Sequence, residues 1–260
     1  MTEPAYRRDF RAIGSGNTIQ ERLLHESEHR TPTCGQRLCR ALITDGGGTY
    51  RCAACAQQQT DEWLEERRAD LDEETPRHFR WATRSAPDLA ERVKPAMAIA
   101  QAFDAVDTTT IVLIGPAGAG KTSLGRALWF ERRMASVRPA SREWPDQRRE
   151  RRSSGDPEPG RAMFVTTFEL AKARREHKLG DGEAEIIDRA TRSVLLLLDE
   201  LGSETGKGDT AVSEVIHARH AADRATIYCT PYGLVELKNR FGDGVARRVF
   251  EGAAVIKLGA

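Results

Sequence analysis

Three groups of residues in this chain have types and spacings that do chemistry. The first is GPAGAGKT, residues 115–122, which fits G-x-x-x-x-G-K-[ST]. Gly115, Gly118 and Gly120 let the backbone curl until its N–H groups face inward as an anion nest. A helix opening near Lys121 points its positive end at the same spot. The Lys121 ammonium then reaches the β- and γ-phosphates of a nucleotide, and the Thr122 hydroxyl is placed to ligate Mg2+. Pro116, Ala117, Ala119 and Ser123 complete the cradle.

The second group is VLLLLDE, which ends in Asp199 and Glu200. Asp199 suits the Mg2+ shell, and Glu200 suits the orientation and activation of an attacking water. A nucleotide kinase must exclude water and has no need of that second acid. The pair therefore argues for an ATPase, which splits ATP into ADP and phosphate. Thr230, at the end of ATIYCT, is open to two readings. It contacts the γ-phosphate or the water, or it is an ST-turn residue before Pro231.

The third group is Cys34, Cys39, Cys52 and Cys55, spaced C-x4-C, twelve residues, C-x2-C, with DGGG at 45–48 as a turn between the pairs. Two such pairs flanking a short hairpin suit a tetrahedral structural Zn2+. Four thiolates leave no open position for water, so the metal folds the module rather than catalyses. Cys229 lies in a buried strand and reads as core.

These groups need elements to hold them. Apolar runs at 108–115, 161–167, 193–200, 224–230 and 253–258 read as buried strands, and helical periods lie between them. Strands alternating with helices give a parallel sheet covered on both faces. The fold class is α/β: a five-stranded parallel P-loop core over 105–260, with a small zinc-ribbon-like module at 1–75 and a linker and helix over 76–104. Within the module, residues 18–30 and 60–74 read as helices. In the linker, a single helix is expected over about 88–103. The stretch 131–160 is rich in Pro, Ser, Gly and Arg and reads as a mobile insertion. Its arginines, Arg132 and Arg133 among them, are either solvated or a basic arm for phosphates.

Composition narrows the field. Lys and Arg number 40 against 39 Asp and Glu, a net charge of +1, so no global field recruits nucleic acid. No apolar run is long enough to span a bilayer, and the first residues carry no apolar signal core, so a cytoplasmic protein is expected.

Strand–GPAGAGKT–helix, MFVTTFELAKARRE, LLLLDELGSE, HARHAADRATIYCTPY and RFGDGVARRVFEGAAVIKL together resemble the DnaC/DnaI/IstB branch of AAA+ ATPases over roughly residues 105–260. The more specific part is LDELG with a tail R-x-G-x-x-V-x-x-R-[apolar]-x-x-G before a final strand. The resemblance implies a DNA-dependent ATPase that loads or remodels a replicative helicase during replication initiation. An IstB-like role beside a transposase on duplex DNA is the alternative. A zinc-dependent adaptor with a weak ATP switch is a second. The resemblance also implies that Arg248 acts in trans on the nucleotide of a neighbouring subunit, in a homo-oligomeric ring or spiral. Arg247 is its neighbour at that interface or a solvated residue. DNA, expected to be single-stranded and bound without sequence preference, would meet Lys172, Arg174, Arg175 and Lys178, unless these form a solvated helix face. The zinc module would dock the partner. One departure is Pro231, which stands where relatives often place Asn after the fourth strand.

Overall fold

The computed structural model describes residues 22–23, 42–43, 49–50, 53–135, 162–177, 182–203 and 210–259. The chain divides into two units between Arg67 and Arg68.

In the first unit, β1 (Arg22–Leu23), β2 (Leu42–Ile43) and β3 (Thr49–Tyr50) form an antiparallel sheet in that order. Leu42 stands opposite Tyr50, so β2 and β3 flank the DGGG segment as a hairpin would. β1 overturns part of the expected helix over 18–30: pairing with β2 overrides local helical pattern there. Helix α1 (Ala53–Glu73) begins earlier than the expected Thr60 and runs on into the second unit. The added residues, AACAQQQ, are Ala, Gln and one Cys, and Ala and Gln are strong helix formers. Cys55 falls in the first turn of α1. Cys34, Cys39 and Cys52 lie outside the described residues.

The second unit continues with α2 (Pro87–Arg92) and α3 (Ala96–Asp104). One helix was expected here. Pro95 splits it, because proline has no N–H for the preceding turn and its ring crowds that turn. Then follow β4 (Thr110–Ile114), α4 (Lys121–Ala135), β5 (Ala162–Thr166), α5 (Thr167–Glu176), α6 (Glu185–Arg192), β6 (Leu195–Asp199), α7 (Thr210–Ala221), β7 (Ala225–Thr230), α8 (Leu234–Phe241), α9 (Asp243–Phe250) and β8 (Ala254–Lys257). The five strands are parallel, in the order β5-β6-β7-β4-β8. All their C-terminal ends therefore share one edge.

Side-chain alternation splits the core between the two faces of this sheet. Leu195 and Leu197 pack with Ile111, Leu113, Leu124, Leu128 and Trp129 on one side. Leu196 and Leu198 pack with Val112, Val165, Val212 and Ile216 on the other. This is why β6 is leucine at four successive positions: every side chain meets a helix layer.

Two arginines are buried within these layers. Arg126 of α4 donates to the Ala82 carbonyl (2.8 Å) and to Asp72 of α1 (2.5 Å), and its guanidinium lies 4.4 Å from the Phe130 ring centroid. Burial lowers its pKa to about 10, against the opposing pull of Asp72. Arg219 of α7 donates to the carbonyls of Ala190, Ser193 and Ala225 and to the hydroxyls of Ser193 and Thr226. It ties α7 to the end of α6 and the starts of β6 and β7. Burial lowers its pKa also, to about 10.

The expected insertion at 131–160 starts too early. Residues 131–135 complete α4, and 136–160 lie outside the described residues. Arg132 is no free arm residue: it donates to the Thr108 carbonyl at 2.5 Å, and burial lowers its pKa.

Replacing Arg219 by Leu removes the donors of two buried carbonyls and one partly buried carbonyl at once. Each unpaired buried group costs roughly 1–3 kcal/mol. We expect Arg219→Leu to lose about 3 kcal/mol or more in urea unfolding. A loss below about 1 kcal/mol would show that these contacts do not hold the α6–α7 edge.

Candidate nucleotide site

The loop between β4 and α4 is built to meet an anion. Gly118 (φ 77°) and Gly120 (φ 86°) take left-handed backbone that other residues adopt only with strain. A Cβ on Gly120 would also lie 2.7 Å from the Arg92 carbonyl oxygen. These two residues turn the chain into α4, whose N-terminus opens at Lys121. The Lys121 ammonium donates to the Gly115 and Pro116 carbonyls at 2.8 Å each, across the mouth of the loop. A cleft of about 690 Å3 lies here, lined by residues 116–123 together with Phe79, Glu91, Arg92, Lys94 and Gly259.

The tip of β6 supplies the acids. Asp199 is 5% exposed. The backbone N–H of Glu200 donates to its carboxylate at 2.9 Å, and the Thr122 side chain lies beside it. Burial raises the Asp199 pKa, the Glu200 charge adds to the rise, and the neighbouring donors Thr122, the Glu200 N–H and Cys229 oppose it. The structure thus joins Thr122 and Asp199, the two residues given to Mg2+ from sequence. A hydroxyl and a buried carboxylate are hard oxygen donors that suit that ion. Glu200 is exposed and has φ 59°, a left-handed conformation that costs a non-glycine residue on the order of 1–2 kcal/mol. Strain of this kind gathers at functional sites.

Thr230 is fully buried. Its hydroxyl donates to the Leu201 carbonyl at 2.7 Å and accepts from the Tyr232 N–H at 3.1 Å. Of its two sequence readings, this geometry is that of the ST turn. Cys229, expected as core, is buried beside Asp199, and burial raises its thiol pKa well above the ordinary value.

The remaining candidates are scattered. Arg248 of α9 is half-buried, donates to the Gly244 carbonyl at 2.7 Å, and does not line the cleft of its own chain. Arg247 is exposed and lies 3.8 Å from Glu251. On α5, Arg174 is committed to Glu183 (2.9 Å) and to Glu214 of α7, so it joins helices rather than standing free for phosphate. Lys172 is exposed, 3.9 Å from Glu176. Arg175 sits on the same helix, and Lys178 lies outside the described residues.

Sequence reading missed Phe79, Glu91, Arg92 and Lys94, which reach the cleft from elements far upstream of the loop. Their spacing carries no motif. It also missed Thr167, whose hydroxyl donates to the Glu200 carbonyl at 2.9 Å. A signal for that helix start was present: Thr166 and Glu169 form a capping box, which begins α5 at Thr167 rather than leaving Thr167 in the strand.

The Asp199 shift gives a signed expectation. A carboxyl whose folded pKa is raised stabilises the fold at acid pH and loses that contribution as pH rises through the folded value. Above its folded pKa Asp199 is a buried anion that opposes folding in metal-free protein. Asp199→Asn keeps an acceptor oxygen for the Glu200 N–H and removes the charge. We expect it to melt higher than the parent in chelator at pH 7, with the difference shrinking as pH falls through the acid range. A variant melting lower at pH 7 would contradict this account.

No family model matches the sequence, and no curated protein does. Solved structures do match. The chain is similar to DnaI, with TM-score 0.52 and 19% identity over 71% of this chain and 95% of that one. It is similar to the DnaC helicase loader, with TM-score 0.50 and 19% identity over 71% of this chain and the whole of that one. Likeness at this identity establishes architecture alone: the chain carries the fold seen in DnaI and DnaC.

Proposed function

We propose that this chain is a DNA-dependent ATPase that loads or remodels a replicative helicase during replication initiation. One observation carries the reading: Thr122 lies beside the buried Asp199 at the base of a glycine-built anion loop, with Glu200 next in line, in the fold of a helicase loader. Residues 115–123 would cradle the triphosphate of ATP, and Lys121 would exchange its loop carbonyls for phosphate oxygens. Thr122 and Asp199 would hold Mg2+, which supplies charge neutralisation on the phosphates when bound. Glu200, exposed at the strand tip, would take the proton of the attacking water.

Arg248 lies outside its own cleft, which supports its use on a neighbouring subunit's nucleotide. Head-to-tail assembly into a ring or spiral then completes the site. Single-stranded DNA would meet exposed cations such as Lys172. In the first unit, Cys34, Cys39, Cys52 and Cys55 would hold Zn2+ and shape the module that docks the helicase.

Two measurements test this. In the first, ATP hydrolysis by the purified chain is followed alone, with single-stranded DNA and with duplex DNA. We expect single strands to stimulate it, Glu200→Gln to abolish it, and Arg248→Ala to cut the stimulated rate by roughly 10³-fold or more. Stimulation by duplex alone would move the reading to transposition, and an unaffected Arg248→Ala would remove the trans finger. In the second, elemental analysis should find one zinc per chain, lost on Cys34→Ser with Cys52→Ser. A zinc-free parent that still folds would remove the metal.

A further inference from the structure

We propose that Thr167 and Thr230 are positioning residues for Glu200. They are two buried hydroxyls that hold the turn after β6 in the strained shape which sets the direction of the Glu200 side chain. The inference rests on the reading of Glu200 as the residue that activates water.

A left-handed residue places its Cβ on a different side of the chain from an extended or helical one. Glu200, at φ 59°, keeps that conformation only while its surroundings hold it. The holding groups come from both strands beside β6. From the β5 side, Thr167 donates to the Glu200 carbonyl oxygen at 2.9 Å, and the Ser203 N–H reaches the same oxygen at 2.8 Å. From the β7 side, Thr230 donates to the Leu201 carbonyl at 2.7 Å, while the Leu201 N–H donates to the Cys229 carbonyl at 2.9 Å. Both threonines are 0% exposed, so neither hydroxyl has water as a substitute partner. Gly202, at φ 93°, closes the turn against Tyr232, where a Cβ would lie 2.6 Å from the ring.

The adjacent Thr166 shows that this is not generic strand-end chemistry. Its hydroxyl bonds Glu169 and caps α5. Thr167, one residue on, turns instead to the carbonyl of the candidate base. Releasing Glu200 to a relaxed conformation would move its carboxylate while leaving the phosphate loop, which lies on β4 and α4, in place. The clamp therefore acts on turnover rather than on nucleotide binding.

The test uses the full chain with Thr167→Val, which keeps the shape and removes the donor, and Thr167→Ser, which keeps the donor. ATP turnover is measured at saturating single-stranded DNA, and affinity by a fluorescent ATP analogue. We expect Thr167→Val to lower kcat about 10–100-fold with affinity within about twofold, and Thr167→Ser to recover most of the rate. Thr230→Val should show the same split and serves if Thr167→Val fails to fold. Unchanged kcat in either valine variant that folds, loss of affinity in step with kcat, or failure of serine to rescue would overturn the clamp. Glu200→Gln in the same assay separates the two readings. If it leaves turnover intact, the role given to Glu200 fails. If it abolishes turnover while the valine variants do not slow it, the clamp alone fails.

Discussion

The carboxylate of Asp199 is the constraint around which the site is arranged. A buried charge is costly unless its lone pairs are met, and here the Glu200 N–H donates to one oxygen while Thr122 and Cys229 lie beside the group. Asp199 thus joins the tip of β6 to the first turn of α4 and to the next residue of its own chain. The phosphate loop, the candidate metal ligands and the candidate base are thus one connected object rather than three motifs that happen to be close.

That object exists because the strands are parallel and share one edge. β6 lies between β5 and β7, and β4 lies between β7 and β8. A polar residue at the end of any of them arrives at the same rim, where polar groups belong to the site. The interiors of the strands can then be wholly apolar, and the four leucines of β6 serve both helix layers. At the opposite rim Arg219 does comparable work without any carboxylate, binding strand and helix ends through carbonyls and hydroxyls.

Much of this was legible in the sequence because it rests on local periodicity and short motifs. The five core strands, the loop at 115–122 and the pair Asp199–Glu200 are read from neighbouring residues, and the helices Glu185–Arg192 and Leu234–Phe241 lie where the pattern placed them. What was not legible depends on residues distant in sequence. Spacing left Arg174 open between a phosphate contact and a solvated face, and did not show Glu183 and Glu214 against it. It left Thr230 open between a phosphate contact and an ST turn, and did not show its hydroxyl on the Leu201 carbonyl. Arg132 read as part of a loop, and α4 continues through it. In each case the partner is distant in sequence and invisible to spacing.

A charge economy follows from those corrections. Arg126, Arg132, Arg174 and Arg219 are all engaged by carbonyls or carboxylates of the chain itself. With a net charge of +1 and these four cations engaged within the chain, no strong overall field favours phosphates. DNA affinity grows with the number of phosphates met, and each contact adds its own salt dependence. A chain built this way gains useful affinity for a strand by repeating a small patch over several subunits. In the proposed assembly one interface would serve two ends: it would bring a neighbour's arginine toward the nucleotide and line up enough weak contacts to hold DNA. Nucleotide state and DNA contact would then be linked through subunit packing, with no need for a strongly basic surface on any one chain.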